Sequence, residues 1–416
     1  MSRASTNQRA EPTRLSRAAA GYGLALVTLL NFINYVDRFI LAAVLPRIKT
    51  DLVLTDFELG LLANAFLVTY FLTSPLFGRM GDRGPRTRLM AAGVAVWSLA
   101  TATAGLARTF VQLVAARAAV GVGEAAYATI SPALLADYFP PERRGRAFAI
   151  FYVAIPVGAA MGFLLGGALE RAFGWRSAFL FVGLPGLLLA GLTLTAPDPP
   201  RGASDGQIDG PNSQPVRQTL RALSHNRTYV GTVLGYAAYT FAVGGLAVWM
   251  PTYLERVRGL DLARADFLVG SVTVAAGLAG TFTGGYLGDR LSRRVRQGHL
   301  WLSGISALLA IFPAWLALTA ASAPVYQWAF FATEFLLFLS TGPINVVIVN
   351  AVQVSTRAMA MAVSIFVIHA LGDAIAPPLI GIIADTGGLE RAVLVVPLAV
   401  AASGLLWIAT ATVATE

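Results

Sequence analysis

The chain has 416 residues, 56% of them hydrophobic and only 13% charged, with 41 glycines, no cysteine and a formal charge of +9. A soluble globular chain is about 25% charged, so this much apolar surface needs lipid as its solvent. Zero cysteines excludes disulfides, thiolate metal sites and cysteine nucleophiles, and the basic charge, which in a soluble protein would suggest nucleic acid, is explained better by its position in the loops.

Twelve apolar stretches are long enough to cross a hydrocarbon core, which takes about 20 helical residues. The first six run over 18–45, 56–78, 88–107, 110–137, 146–170 and 176–196. The second six run over 228–254, 266–288, 298–320, 325–352, 358–384 and 391–413. They read as helices because a barrel would show short alternating strands. The polar stretch Met1 to Arg17 leads into a full-length span, so no cleavable signal peptide is expected and span 1 stays as an anchor.

Of the 31 basic residues, all but Lys49 are arginine. They crowd the segments that a cytoplasmic N-terminus places inside, such as Arg79, Arg83, Arg86 and Arg88 after span 2 and Arg143, Arg144 and Arg146 after span 4. That bias predicts both termini in the cytoplasm. The arginine-rich composition points to a bacterial inner (plasma) membrane.

The least apolar stretch runs from Pro197-Asp198-Pro199-Pro200-Arg201-Gly202 to Pro215 and reads as a solvated, partly disordered linker. The chain therefore divides into a cytoplasmic tail (1–17), a six-helix bundle (18–196), a cytoplasmic linker (197–225) and a second six-helix bundle (226–416). A repeat supports the division. Gly81-Asp82-Arg83 follows span 2 and Gly288-Asp289-Arg290 follows span 8, an offset of 207 residues (82 to 289), and Leu45-Pro46 and Met250-Pro251 end spans 1 and 7. Duplicated halves of this kind hold substrate near the midplane between them. Asp82, just past an apolar helix, is suited to accept backbone donors at a neighbouring helix N-terminus or to pair with arginine, latching the inner side shut.

The run Gly78-Arg79-Met80-Gly81-Asp82-Arg83-Gly84-Pro85-Arg86-Thr87-Arg88 resembles the signature loop of the major facilitator superfamily, and Gly285 to Arg294 resembles its second-half copy, with Pro85 and Ser292 where glycine is usual. The resemblance implies an all-α integral membrane fold of twelve transmembrane helices in two pseudo-symmetric six-helix bundles. It also implies a conformational latch made by Gly78, Asp82, Arg83, Arg86, Asp289 and Arg290.

Ionisable residues deep in a span cost roughly 2.5 to 3.5 kcal/mol on insertion scales and mark function. Span 1 carries Asp37 and Arg38, which point about 100° apart and should find different partners. Span 4 carries Arg117 and Glu124 on one face, their Cα atoms about 10.5 Å apart, with room for a third group, for which Asp37 is the candidate. A purely structural ion-pair cluster explains these four poorly, because buried pairs add little net stability. In span 11, His369 and Asp373 share a face. Glu334 in span 10 reads either as a cavity-lining acid or as a neutralised packing residue. Gly158, Gly162 and Gly166, and Gly277, Gly280 and Gly284, predict close helix packing. Pro156, Pro343, Pro377 and Pro378 predict bends.

Three patches are similar to the spinster branch of that superfamily: Asn34 to Phe39; Arg117 to Tyr127 with Ser131-Pro132 and Ala136-Asp137; and His369 to Ala374 with Pro378 to Gly381. The similarity implies a proton-coupled carrier of single-chain amphipathic anions such as lysophospholipids or sphingoid phosphates. Arg38 and Arg117 would then meet the phosphate, with Tyr35, Tyr127, Phe66 and Phe366 along the chain and Glu334, His369 and Asp373 completing the cavity. Asp37 and Glu124 would exchange protons while Arg117 changes partner. Alternatives are a proton-coupled symporter of small organic anions, because the first patch is shared with the anion:cation symporter branch, and a passive scramblase or channel. An enzyme is disfavoured by the lack of a Gly-x-Ser-x-Gly elbow or a His-Glu-x-x-His motif, and ATP drive by the lack of a phosphate-binding loop. The expected partners are the bilayer and the substrate, with no nucleic acid, metal or cofactor, and the chain is expected to be a monomer.

Overall fold

The computed structural model describes residues 15–54, 56–205, 215–260 and 262–413, and among these it forms helices and no strand. The expected tail falls outside the described residues up to position 14, as do residues 206–214 of the linker. The first bundle comprises α1 (Arg17–Leu52), α2 (Asp56–Arg83), α3 (Arg86–Ala104), α4 (Phe110–Tyr138), α5 (Pro141–Tyr152), α6 (Ala154–Phe173) and α7 (Trp175–Thr193). After α8 (Val216–His225) the second comprises α9 (Arg227–Arg256), α10 (Leu262–Ser292), α11 (Gly298–Thr319), α12 (Ala323–Phe338), α13 (Thr341–Asn350), α14 (Arg357–Ile368), α15 (Ala376–Gly387), α16 (Leu389–Ala392) and α17 (Val395–Val413).

These helices make the twelve expected spans. Ten are long and apolar enough, by length and composition, to cross a membrane, and α2 and α3 complete the set. Four spans are each built from two helices, α5 with α6, α12 with α13, α14 with α15 and α16 with α17, and the first three break at places that prolines dictate. Pro156, Pro343 and the pair Pro377-Pro378 have no N–H to return to the carbonyl four residues back, and the breaks fall there: Val153, Leu339-Ser340, and the segment before Ala376. In the last of these, His369–Asp373 forms a π-helical turn closed by a bond from the Ala374 amide to the His369 carbonyl (3.1 Å), and Gly372 leaves helical geometry altogether (φ −104°, ψ −105°).

Within the first bundle α1 packs on α6, α2 on α4, and α3 on α4 and α7; within the second α9 packs on α17 and α11 on α12 and α17. Between the bundles, α2 meets α14 and α5 meets α10. Both crossings are closest at the arginine-rich end. A Cβ on Gly78 would lie 2.5 Å from Cβ of Ala362, so only glycine allows α2 this near α14. At the opposite end the first bundle closes on a core of its own, with Val36, Ile40, Val44, Ile48, Leu113 and Phe179, separate from the larger core that runs through both bundles.

The linker differs from expectation. Gly202 and Ala203 are buried, and Asp198, Arg201 and Asp205 bond into the helix ends. Composition marked this stretch as polar, and its polar groups are consumed by protein partners instead of by water.

Candidate functional site

Midway along α1 and α4 the four charges come together as two pairs, Arg38 with Glu124 and Arg117 with Asp37. Arg38 donates through Nε (2.8 Å) and Nη2 (2.8 Å) to one oxygen of Glu124, while Thr101 donates to Asp37 (2.7 Å) and Arg117 Nη1 lies 3.7 Å from the other Asp37 oxygen. Asp37, Arg117 and Glu124 are buried, and the Arg38 side chain is 17% exposed. Asp37 therefore sits beside Arg117 rather than between Arg117 and Glu124. The cluster is under-bonded: Glu124 Oε1, Asp37 Oδ1 and Arg117 Nε and Nη1 are buried without a hydrogen-bond partner. Unmet buried polar atoms cost about 1–3 kcal/mol each, and at an otherwise well-bonded centre they mark capacity for something else to bind.

Aromatic rings enclose the outer guanidinium. The Arg38 Cζ lies 5.0 Å from the Tyr35 ring centre, 4.6 Å from Phe66 and 4.9 Å from Tyr70, and Arg117 lies 5.5 Å from Phe66. Each such contact is worth about 0.5–2 kcal/mol according to exposure. The rings reach Arg38 because Gly121 of α4 lets the α2 backbone approach; a Cβ there would stand 3.0 Å from the Tyr70 amide and closer still to Phe66 and Thr69. Tyr70, which the sequence reading passed over, bridges the bundles: its ring makes an edge contact with His369 of the π-helical turn (5.5 Å), and His369 Nδ1 in turn meets Asp373 (2.9 Å). Phe366, 37% exposed, meets Phe71 edge-on at 5.6 Å.

Two expected members lie elsewhere. Tyr127 is buried in the first bundle between Trp97 and Phe151, and its hydroxyl is spent on the Val27 carbonyl (2.8 Å), so it lines no slot. Glu334 is buried on α12 with Tyr239 as its electrostatic neighbour, away from the four-charge cluster.

At the arginine-rich end the two aspartates of the repeat do the same thing in mirrored places. Asp82 accepts from the amides of Ala358 and Met359 (3.0 Å each) at the N-terminus of α14. Asp289 accepts from Gly145 (2.7 Å) and Arg146 (3.0 Å) in the first turns of α5. Ala358 and Met359 lie in the first turn of α14, where amides have no intrahelical partner and the dipole is positive, whereas Gly145 and Arg146 lie one turn further into α5. Of the arginines expected in the latch, Arg83 and Arg290 are exposed, and Arg290 donates to the Tyr286 hydroxyl of its own helix (3.5 Å). Arg86 bonds Asp137, Asp198 (2.9 Å) and the Pro199 carbonyl (2.6 Å), all within the first half and the linker.

Charge also crosses between the bundles where Arg146 donates to Asp289 (3.3 Å) and, more deeply buried, at Arg144 and Arg357. Each of the latter two uses Nε to fix a carbonyl eight residues earlier, Ala136 (3.1 Å) and Val349 (2.9 Å) respectively, then reaches across: Arg357 to Asp137 (3.0 Å) and Arg144 to Asn350. Asp205 of the linker accepts from both, at 2.8 Å from Arg357 and 2.9 Å from Arg144. Burial alone would push the Asp205 carboxyl up, but the bonds from Arg357 and Arg144 outweigh it and hold it below the usual carboxylate range. The shared eight-residue spacing was a signal available in the sequence; Asp205, amid small polar residues, gave none.

The sequence profile of the Major Facilitator Superfamily matches residues 27–372. The chain is 33% identical over 393 residues to protein spinster homolog 3 of Danio rerio, covering 90% of this chain and 79% of that one. It is 34% identical over 399 residues to the human protein spinster homolog 1, covering 90% and 74%. Among solved structures, a bacterial homologue of the human lysosomal transporter spinster, in an inward-facing and occupied conformation, superposes with a TM-score of 0.65 at 24% identity over 96% of this chain and 98% of that one.

Proposed function

The chain belongs to the major facilitator superfamily and, within it, to the spinster group of transporters, and we propose that it is a proton-coupled carrier of an anionic single-chain amphipath, such as a lysophospholipid or a sphingoid phosphate, working by alternating access. The observation that carries this reading is the under-bonded cluster of Asp37, Arg38, Arg117 and Glu124 beneath an aromatic collar.

Two guanidiniums and two carboxylates are neutral together. A proton taken up by Glu124 removes the counter-charge of Arg38 and leaves the cluster one positive charge in excess. Stranding one partner of a buried pair costs about 3–5 kcal/mol, so the protonated cluster favours an incoming anion; a phosphate headgroup supplies the missing charge, and Arg117 has unused donors to offer it. Loss of the proton re-forms the Arg38–Glu124 pair and expels the headgroup. The alkyl chain lies along the collar and past Phe71 and Phe366. His369 senses the site through Tyr70.

Arginine-rich loops stay in the cytoplasm, so the joined end is read as the inner gate, shut, with the site facing outward and both termini inside a bacterial plasma membrane. The carrier acts as a monomer, because each half already supplies the other's latch partners.

Uptake into proteoliposomes under an inward-acid pH gradient tests the reading. Glu124→Gln and Asp37→Asn should both abolish the gradient-driven component, and undiminished gradient dependence in both variants sinks proton coupling. Saturable uptake of a small dicarboxylate with none of a lysolipid would overturn the substrate class while leaving the coupling intact.

A further inference from the structure

The helix α8 lies outside the spans and ends one residue before α9 begins at Arg227. That residue, Asn226, holds the junction: its side chain caps α9 at the Tyr229 amide (2.9 Å) and donates to the Ala351 carbonyl (2.6 Å). A helix tied this closely to the start of a spanning helix stays at the level of the lipid headgroups.

Its apolar side is only half used. Thr219 and Leu223 are buried against the bundle, whereas Val216 and Leu220 are each 41% exposed. At about 100° per residue, Val216 and Leu220 form a strip between that buried seam and a row made by Arg217 and Arg221, both exposed. A groove of about 820 Å³ follows this side, lined by Pro215, Arg217, Gln218, Leu220, Arg221 and Ser224. No acid occurs from Val216 to Arg227, so the charges that α8 itself brings to the groove are all positive.

We propose that α8 docks on the anionic surface of the bilayer, Val216 and Leu220 entering the boundary between headgroups and acyl chains while Arg217 and Arg221 hold lipid phosphates. An apolar strip flanked by arginines is the pattern of a helix lying in the membrane interface, and anionic lipid attracts basic residues there. Two exposed apolar side chains fall far short of the roughly 800 Å² per partner that a stable protein interface covers, which argues against a protein occupant.

The absence of native cysteine makes the test direct. The full chain carrying Ser224→Cys is labelled with an environment-sensitive fluorophore and placed in nanodiscs of phosphatidylcholine with or without phosphatidylglycerol, some lipids bearing nitroxide quenchers. Quenching should be strong with phosphatidylglycerol and weak without it. Each arginine at an anionic surface contributes about fivefold in affinity, so Arg217→Gln with Arg221→Gln should erase the difference, while Leu220→Gln should reduce quenching and keep the lipid preference. Equal quenching in both lipids, or a difference that survives the double arginine substitution, overturns the proposal. So does a probe shielded from water but not reached by lipid quenchers, because that places a protein in the groove.

Discussion

The two joints that close the arginine-rich end come from one duplicated plan, yet they are not equally built. Asp82 and Asp289 each accept two backbone amides from a helix of the other half. Beside the first joint, the buried Arg357 finds a carboxylate, Asp137, in the opposite bundle. Beside the second, Arg144 finds Asn350 in the equivalent place, an amide with no charge to give. The deficit is met from outside the repeat by Asp205, which pairs with both arginines. The backbone plan of this joined end is thus symmetric and its electrostatics are not, and a segment that belongs to neither bundle helps to hold the two together; under the proposed function it is part of the lock.

The largest effect should come from breaking the shared member. Arg357→Ala leaves Asp137 with Arg86 and the Gly202 amide, both on its own side of the seam, and removes half of what Asp205 binds; two charged hydrogen bonds lost at about 1.5–3 kcal/mol each are enough to shift the resting population toward an open inner end. Spin labels at Arg88→Cys, in the first turn of α3, and Arg294→Cys, in the turn after α10, should report a longer distance; an unchanged distance distribution would remove Arg357 from the lock. Asp205→Asn should open the same end less, by about 1.5–3 kcal/mol for charged hydrogen bonds lost. Adding Asn350→Asp should then restore closure, by returning to Arg144 a carboxylate from within the repeat. Failure of that rescue would mean that Asp205 acts by shape and not by charge.

The smallest effect at physiological pH separates gate from site. A carboxylate held below its usual range adds stability that is fully present above the ordinary value and lost as pH falls through the depressed one. Asp205 is such a group, so its share of the lock should persist through neutral and mildly acid conditions and fade only below about pH 4. The change in label distance caused by Asp205→Asn should therefore be the same at pH 5 and pH 8, while gradient-driven uptake changes over that range. An Asp205 effect that varies between pH 5 and 8 would assign proton sensing to the linker.

Much of this was legible in the chain. The spans, the bends at proline, the paired latch aspartates and the four intramembrane charges follow from hydropathy, from φ-locked residues and from a repeat. Partner choice was not. Helical spacing fixes which residues share a face of α4, but whether Arg38 or Arg117 meets Glu124 depends on the rotation of α1 against α4, which the period leaves free. Tyr70 was hidden because an aromatic in an apolar helix looks like any other packing residue. Tyr127 misled for the converse reason, a polar ring in a motif whose hydroxyl is spent on a backbone carbonyl. Asp205 was read as solvated because composition reports polarity and not where the partners are.

The π-helical turn at His369–Asp373 has a mechanical consequence. On one side of it α14 is fastened to the first bundle by Asp82 and by the close fit at Gly78. On the other, α15 is held by the second bundle, where Trp249 donates to the Pro377 carbonyl (3.1 Å). One transmembrane rod is thus clamped at its two ends to bodies that must rotate against each other, and the twist has to be taken up where the regular ladder is missing. Those five residues include the His369–Asp373 pair and the edge contact to Tyr70. Under the proposed function, torque from the moving halves arrives at the side chains assigned to the cargo, and occupancy there can load or unload the rod.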